Sequence, residues 1–325
     1  MTSHLNSEIR QSIINIFGDN AAFDVSLKEI SRWKIGGIAQ VIITPKSIHE
    51  LQKLLRKTKE WQLPYVVIAG TSNLLFDSKG LDAIAIQIGS ALSHVSIHNS
   101  EIIAEAGIWG PCLARKAMQA GLTGLEHTCG IPGTLGGLVY MNGGSQRKGI
   151  GDSVQFVETL DSNGDLHRYA REECGFAYRH SVFQSKDEII IRVGLKLEKA
   201  KDKKVVHQEM LHILRDRSQK FPRRYPNCGS TFVSNPAMYA EFGPPGKVIE
   251  DCGFKGFSIG DAKVTEQHAN FINNLGAATS DDVLKLIHYI RDSVYKKTGY
   301  MMEVEARFVT SQGKIQRIQY VASEL

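Results

Sequence analysis

"GIPGTLGGLVYMNGGSQRKGIGD", residues 130–152, decides how this chain is read. Eight of its 23 residues are glycine. Glycine gives up more conformational freedom on folding than any other residue, so a turn built for structure alone would not need so many. The pattern reads as backbone lying close against a flat ring system or a pyrophosphate. Ile131-Pro132 would form a rigid apolar wall and Thr134 would offer a hydroxyl. Gly136, Gly137, Asn142 and Gly143 would let the main chain approach the ligand.

A second glycine-bearing element lies upstream. "YVVIAG" (65–70) is a short, wholly apolar run, the mark of a strand buried on both faces. Gly70-Thr71-Ser72-Asn73-Leu74 follow it. Consecutive N–H groups with small side chains can cradle a phosphate; they can equally close a tight turn. Dinucleotide and P-loop readings fail, because neither G-x-G-x-x-G nor G-K-[ST] is present and "LLFDSKG" does not look like a helix.

Around these loops the chain reads as α+β. Ser47 and Glu50 make an S-x-x-E box opening a helix with Leu51, Leu54 and Leu55 on one face. Pro111 suits the first turn of a helix that Gly121 ends. A helical linker is expected over 205–219, and a helix capped near Ser280 carries Val283, Leu284, Ile287, Ile290 and Val294. Strands are expected at "AQVIITP", "AIAIQI", "SEIIAEAG", "VQFVETLD" (followed by a turn at Ser162-Asn163-Gly164), "EIIIRVGLKLEK", "EVEARFV" and "IQRIQYV".

The 325 residues suffice for two or three domains. No apolar run reaches the roughly 18 residues of a membrane span, and the N-terminus does not have the form of a signal peptide. Five scattered cysteines without CxxC spacing point to reduced thiols in a cytoplasm and away from a metal site. A net charge of +5 without a dense basic run gives nucleic-acid binding little support and suits a small anionic ligand.

"PNCGSTFVSNP" (226–236) sets one hydroxyl, Ser230, between two prolines, and no G-x-S-x-G hydrolase elbow surrounds it. Together with "WKIGG", "AGTSNLLF", "GLEHTCGIPGTLGG", "MNGG", "YRHSVF", "RSQKFP", "CGSTF", "GFKGFSIGDAKV", "QHANFINN" and "EVEARF", in this order, the chain resembles the UDP-N-acetylenolpyruvoylglucosamine reductase family. The short span after "YRHSVF" is like the compact form, without an extra tyrosine-bearing loop.

The resemblance implies a two-subdomain FAD-binding unit of the vanillyl-alcohol-oxidase (PCMH) type plus a C-terminal α/β substrate-binding domain. The expected divisions are a helical arm (1–18), FAD-binding subdomains (19–88 and 89–204) and a substrate domain with a catalytic strand (205–325). It implies a monomeric cytoplasmic enzyme that binds FAD non-covalently. With NADPH as co-substrate, the enzyme reduces the enolpyruvyl ether of UDP-N-acetylglucosamine to UDP-N-acetylmuramate for peptidoglycan. Arg179, Ser230 and Glu305 match the catalytic positions: Ser230 as proton donor, Arg179 and Glu305 as stabilisers of the enolate. Gly70, Thr71, Ser72, Asn73, Leu74, Ile131, Pro132, Thr134, Gly136, Gly137, Asn142, Gly143 and Arg179 would face the cofactor. Tyr178, Arg217, Lys220, Asn235, Lys247 and His268 would face the substrate, with Lys255 and Asn270 as weaker candidates for phosphate contacts. A flavoprotein acting on another nucleotide sugar, or a non-catalytic flavin-binding homologue, is the alternative.

Overall fold

The structure is a computed structural model that describes residues 5–234 and 236–321. Its first sheet has the spatial order Ala21–Ser26, Ile38–Ile43, Leu81–Gln87, Tyr65–Ile68. The outer pair is antiparallel and the rest parallel. Parallel neighbours require a crossover, and the helix Ile48–Glu60 supplies it, burying Leu51, Leu54, Leu55 and Thr58. Ser47 Oγ accepts the Glu50 N–H at 3.1 Å. The Glu50 carboxylate returns to the Lys46 N–H, one residue earlier than a capping box would have it. Alternation splits this sheet between two cores: Ile84 and Ile86 enter the largest one, while Ala83 and Ala85 face another with Val66 and Ile68. "YVVI" is thus packed on both faces, with Tyr65 and Val67 only half-buried because the strand forms the sheet edge.

The second sheet is antiparallel throughout: Leu166–Ala170, Val154–Asp161, Glu188–Lys196, Glu101–Glu105, Val95–His98. The expected turn after Asp161 is present, with Gly164 in the left-handed region (φ 80°). The helix Gly110–Gln119 carries Pro111 in its first turn and is followed by Gly121 at φ 76°. The largest core joins residues of both sheets with Ile13 and Phe17 of the helix Ser7–Phe17 and Val206, Met210 and Ile213 of the helix Lys203–Lys220. The two glycine-rich halves therefore share one interior, and the N-terminal arm is part of it.

A further core is built around the helix Ser280–Thr298. Thr279, not Ser280, caps that helix, in a reciprocal box with Asp282. Ser280 is free to exchange hydrogen bonds with Ser78: each hydroxyl accepts the other residue's N–H, at 3.0 and 2.8 Å. This core also takes in Trp33, Ile35 and Leu75 from the first part of the chain. Trp33 Nε1 donates to Ile272 O at 2.8 Å, and Asn274 Nδ2 donates to Trp33 O and Lys34 O.

Leu74–Phe76 pairs in parallel with Arg307–Val309, which pairs antiparallel with Ile315–Arg317. "EVEARFV" is consequently not one strand. Val304 bridges Phe232 and the Glu305 N–H donates to Thr231 O, whereas from Arg307 onward the partner is the segment after Gly70. The chain changes neighbours at Glu305–Ala306, and the ladder breaks there. Among the described residues no helix is long and apolar enough to cross a membrane.

Candidate active site

The glycine-rich loops, the Arg179 turn, the Ser230 turn and the Glu305 segment all line one cleft of about 1980 Å³. Pockets for a single drug-sized ligand are usually about 300–1,000 Å³, so this cleft is large enough for two ligands. Nine cationic side chains line it (Arg32, Lys34, Arg147, Lys148, Arg179, Arg217, Arg223, Arg224 and Arg307) against four carboxylates (Glu29, Asp152, Glu188 and Glu305). That excess suits phosphorylated ligands.

Arg179 sits in a tight turn closed by two hydrogen bonds between Ala177 and His180, at 3.1 and 3.0 Å. Its φ of 55° lies in the left-handed region, uncommon for a residue with a side chain. Asn142 Nδ2 donates to Ala177 O at 2.8 Å, pinning this turn to the glycine-rich loop. The guanidinium lies over the Tyr178 ring, 5.2 Å from its centroid. Its Nε lies 2.7 Å from Glu305 Oε1. Nη1 donates to Gly144 O at 3.4 Å. Nη2 has no protein partner among the described residues, which leaves a charged donor for an anion.

Glu305 is fixed through its backbone. Its N–H donates to Thr231 O at 2.8 Å, and its carbonyl accepts from Asn73 Nδ2 and Arg307 Nη1, both at 3.1 Å. Burial pushes its carboxyl above the ordinary carboxylate range, while Arg179 and Arg307 pull it back down. The neighbouring Glu303 is exposed and lies 3.7 Å from Arg317, which separates two carboxylates that look alike in sequence.

Ser230 follows Gly229, whose φ of 84° calls for glycine and whose N–H is held by Asn227 Oδ1 at 3.1 Å. On the other side Asn270 acts as a substitute strand. Its main-chain oxygen accepts from Thr231, and its side chain both accepts from and donates to the Phe232 backbone. Asn270 is buried, so its role is this support and not a phosphate contact.

Every expected cofactor-facing residue lines the cleft, but several side chains are already engaged. Thr71 Oγ1 donates to Ile30 O and accepts from the Arg32 N–H; Thr134 Oγ1 caps the helix Leu135–Met141; Asn142 takes a left-handed cap position at φ 42°. The glycines also divide by cause. A Cβ on Gly136 would come 3.0 Å from Ala106 Cβ, and one on Gly143 2.8 Å from Leu138, so internal packing requires those two. Gly137 has open space apart from an ordinary contact with Thr134.

Among the substrate candidates, Tyr178 and Arg217 line the cleft. Arg217 Nε donates to Gly130 O at 2.9 Å and its guanidinium stacks over Phe221. The structure does not bring Lys220, Lys247 or His268 to the cleft. Lys220 pairs with Asp216 and Lys247 with Asp251 on exposed helix faces, as Lys255 does with Glu250. His268 packs between Phe221 and Phe271, and burial lowers its pKa. Asn235 lies outside the described residues. Sequence reasoning passed over Arg32, Lys34, Arg223, Arg224 and Arg307. "RRYP" after "RSQKFP" was a visible basic signal, but Arg307 carries none, because its place depends on a strand pairing across more than 200 residues.

Residues 221–309 match the family model described as UDP-N-acetylenolpyruvoylglucosamine reductase, C-terminal domain, and residues 39–170 match one described as FAD binding domain. A UDP-N-acetylenolpyruvoylglucosamine reductase of Corynebacterium glutamicum is 44% identical over 98% of this chain and 95% of its own length. The chain belongs to this reductase family. A relative of that name in Heliobacterium modesticaldum is 39% identical over 86% of the chain and 88% of its own length. The crystal structure of the family's Thermus caldophilus member superposes with a TM-score of 0.74 at 30% identity, covering 89% of this chain and 97% of that one. The fold is that of the family: an α+β chain with an FAD-binding domain followed by the family's C-terminal domain.

The cleft fits FAD. Among the described residues the N–H groups of Ser72 and Asn73 have no protein partner, as a phosphate-binding turn requires. A Cβ on Gly70 would fall 3.1 Å from the Trp109 ring and 3.3 Å from Gly133 Cα, so the two loops meet with no room for a side chain between them.

Proposed function

We propose that this protein reduces the enolpyruvyl ether of UDP-N-acetylglucosamine with electrons from NADPH passed through FAD, a step of peptidoglycan precursor synthesis. The observation that carries the mechanism is the Arg179–Glu305 pair, set beside the Ser230 turn in the cleft that the glycine-rich loops form.

FAD, when bound, supplies hydride chemistry; the chain supplies charge, orientation and one proton. Saturating the enolpyruvyl double bond adds a hydride at the carbon distal to the carboxylate and a proton at the carbon next to it. Before the proton arrives, negative charge spreads onto the carboxylate. Arg179 is suited to hold that group, because a guanidinium is planar, always charged and has an unengaged donor here. Glu305, kept toward its protonated form by burial, donates a hydrogen bond to the charge-bearing oxygen, or shares a proton with it, without adding a second anion. Ser230 gives its hydroxyl proton to the carbon; so weak an acid serves only when the acceptor is strongly basic and the turn fixes the geometry.

Residues 19–88 and 89–204 hold the cofactor in this reading and 205–325 the substrate, with Tyr178 and Arg217 also facing the sugar nucleotide. Ser72, Asn73 and Gly137 carry the most direct cofactor contacts. Five unpaired thiols support a cytoplasmic setting.

Ser230→Ala tests the assignment. Flavin reduction by NADPH should stay within about twofold, while reoxidation by UDP-N-acetylenolpyruvoylglucosamine should slow at least about 100-fold. If both half-reactions fall together, Ser230 has a structural role and the proton assignment is wrong.

A further inference from the structure

The Arg179 turn and the Glu305 segment meet through one side chain that does not line the cleft. Gln184 Nε2 donates to Arg179 O and to Tyr140 O, each at 3.0 Å. Its Oε1 accepts from Arg307 Nη2 at 3.2 Å. Arg307 is buried, and its Nη1 donates to Val304 O and Glu305 O at 3.3 and 3.1 Å. A single amide thus joins three segments: the helix Leu135–Met141 that follows the Thr134 cap, the left-handed residue Arg179, and the arginine that grips the Glu305 backbone.

We propose that Gln184 is a positioning residue for the substrate half-reaction, holding the Arg179 carbonyl and the Arg307 guanidinium at a fixed separation so that the Arg179–Glu305 pair keeps its geometry. The proposal rests on the reading above that Arg179 and Glu305 act on the substrate.

The chemistry of the position is restrictive. Two donors and an acceptor must lie at the end of one chain of this length, which a carboxamide provides. A carboxylate has no donor for the two carbonyls, and an ammonium has no acceptor for Arg307. The device is needed because a residue with a side chain persists at positive φ only where its surroundings over-determine it. At Arg179 those surroundings are the Ala177–His180 bonds, Asn142 and Gln184. Asn142 fixes the near side of the turn, Ser181 Oγ ties its far side to Tyr140 O, and among the described residues Gln184 alone ties it to the Arg307 guanidinium that grips the Glu305 backbone.

The test uses the holoprotein. Gln184→Glu keeps size and shape but removes both donors; Gln184→Ala removes the whole clasp. Stopped-flow reoxidation of the reduced flavin by UDP-N-acetylenolpyruvoylglucosamine should slow about 30-fold in each, the effect of a small misplacement of reacting groups. Reduction by NADPH should stay within about twofold, and the calorimetric Kd for the UDP-sugar within about threefold. In an Arg179→Ala background Gln184→Glu should add less than about a twofold loss, because the residue acts through Arg179. Should Gln184→Ala lose its flavin, the isosteric Gln184→Glu carries the test. Unchanged reoxidation in Gln184→Glu, alongside a slow Arg179→Ala, overturns the positioning role. Losses that multiply in the double variant overturn it too, by showing a general structural effect. If Arg179→Ala itself reoxidises normally, the functional reading beneath the proposal fails instead.

Discussion

Arg179 occupies a backbone conformation that its side chain disfavours, and the size of that penalty can be measured. At φ 55° a residue with a Cβ costs about 1–2 kcal/mol relative to glycine. Glycine returns about 0.4–1 kcal/mol of this through its freer unfolded chain. Arg179→Gly should therefore be more stable than Arg179→Ala by about 0.5–1 kcal/mol. For a chain of this length that is about 1 °C in melting temperature. Both variants remove the guanidinium, so the lost ion pair with Glu305 cancels between them and the backbone term stands alone. Differential scanning calorimetry of the two, in one buffer and with equal flavin content, gives the number. Both should also lose reoxidation by the UDP-sugar. The sequence would then be retaining a costly turn for the position of one charged group. An alanine variant as stable as the glycine variant, or more so, refutes the account of strain.

Three further outcomes follow from the geometry. Asn274→Ala strands Trp33 O, Lys34 O and the N–H groups of Gly276 and Ala278, which should cost about 3–5 kcal/mol and lower the melting temperature by about 4–7 °C, measured by circular dichroism. Burial raises the Cys129 and Cys174 thiols to about 11, pushes Cys228 higher still and raises Cys252 too; because only Cys112 and Cys252 are partly exposed, a thiol reagent at neutral pH should label these two, Cys252 the more slowly, and spare the buried three, as peptide mass spectrometry would show. Glu305 has a folded pKa above its unfolded value. Its contribution to stability is complete below the unfolded value and is lost as pH rises through the folded one. The melting temperature of Glu305→Gln should thus gain on the wild type as pH rises above the ordinary carboxylate value, and a difference that does not change with pH refutes the raised carboxyl.

Local signals in the sequence marked the elements that local chemistry determines. Ser47 before its helix, Pro111 in a first turn and Gly164 after Asp161 all occupy the places their chemistry predicts. The resemblance brought Arg179, Ser230 and Glu305 together, and the structure sets the backbone of Glu305 against Thr231, the residue after Ser230. What remained hidden depends on distant partners. "EVEARFV" has the composition of one strand, yet two different neighbours divide it at Glu305. Thr71, Asn73 and Asn142 are expected to face the cofactor, and their side chains bind other parts of the chain. Lys220 and Lys247 read as phosphate contacts by motif alone, but helical spacing pairs each with an aspartate four residues away.

The placement of Trp33, Ile35 and Leu75 in the C-terminal core bears on how the protein is made. Trp33 leaves the ribosome 239 residues ahead of Ile272, whose carbonyl receives its indole N–H. At about 5–20 residues per second that interval is roughly 10–50 s. Throughout it the Leu74–Phe76 strand lacks its Arg307–Val309 neighbour, and three apolar side chains lack the surface they will cover. Synthesis thus leaves an early segment waiting for a late one. It also means that a fragment limited to residues 221–309, although it coincides with a family domain, omits a tryptophan, two isoleucines and a leucine from its own interior. Such a fragment should aggregate or remain unfolded unless the first part of the chain is supplied with it.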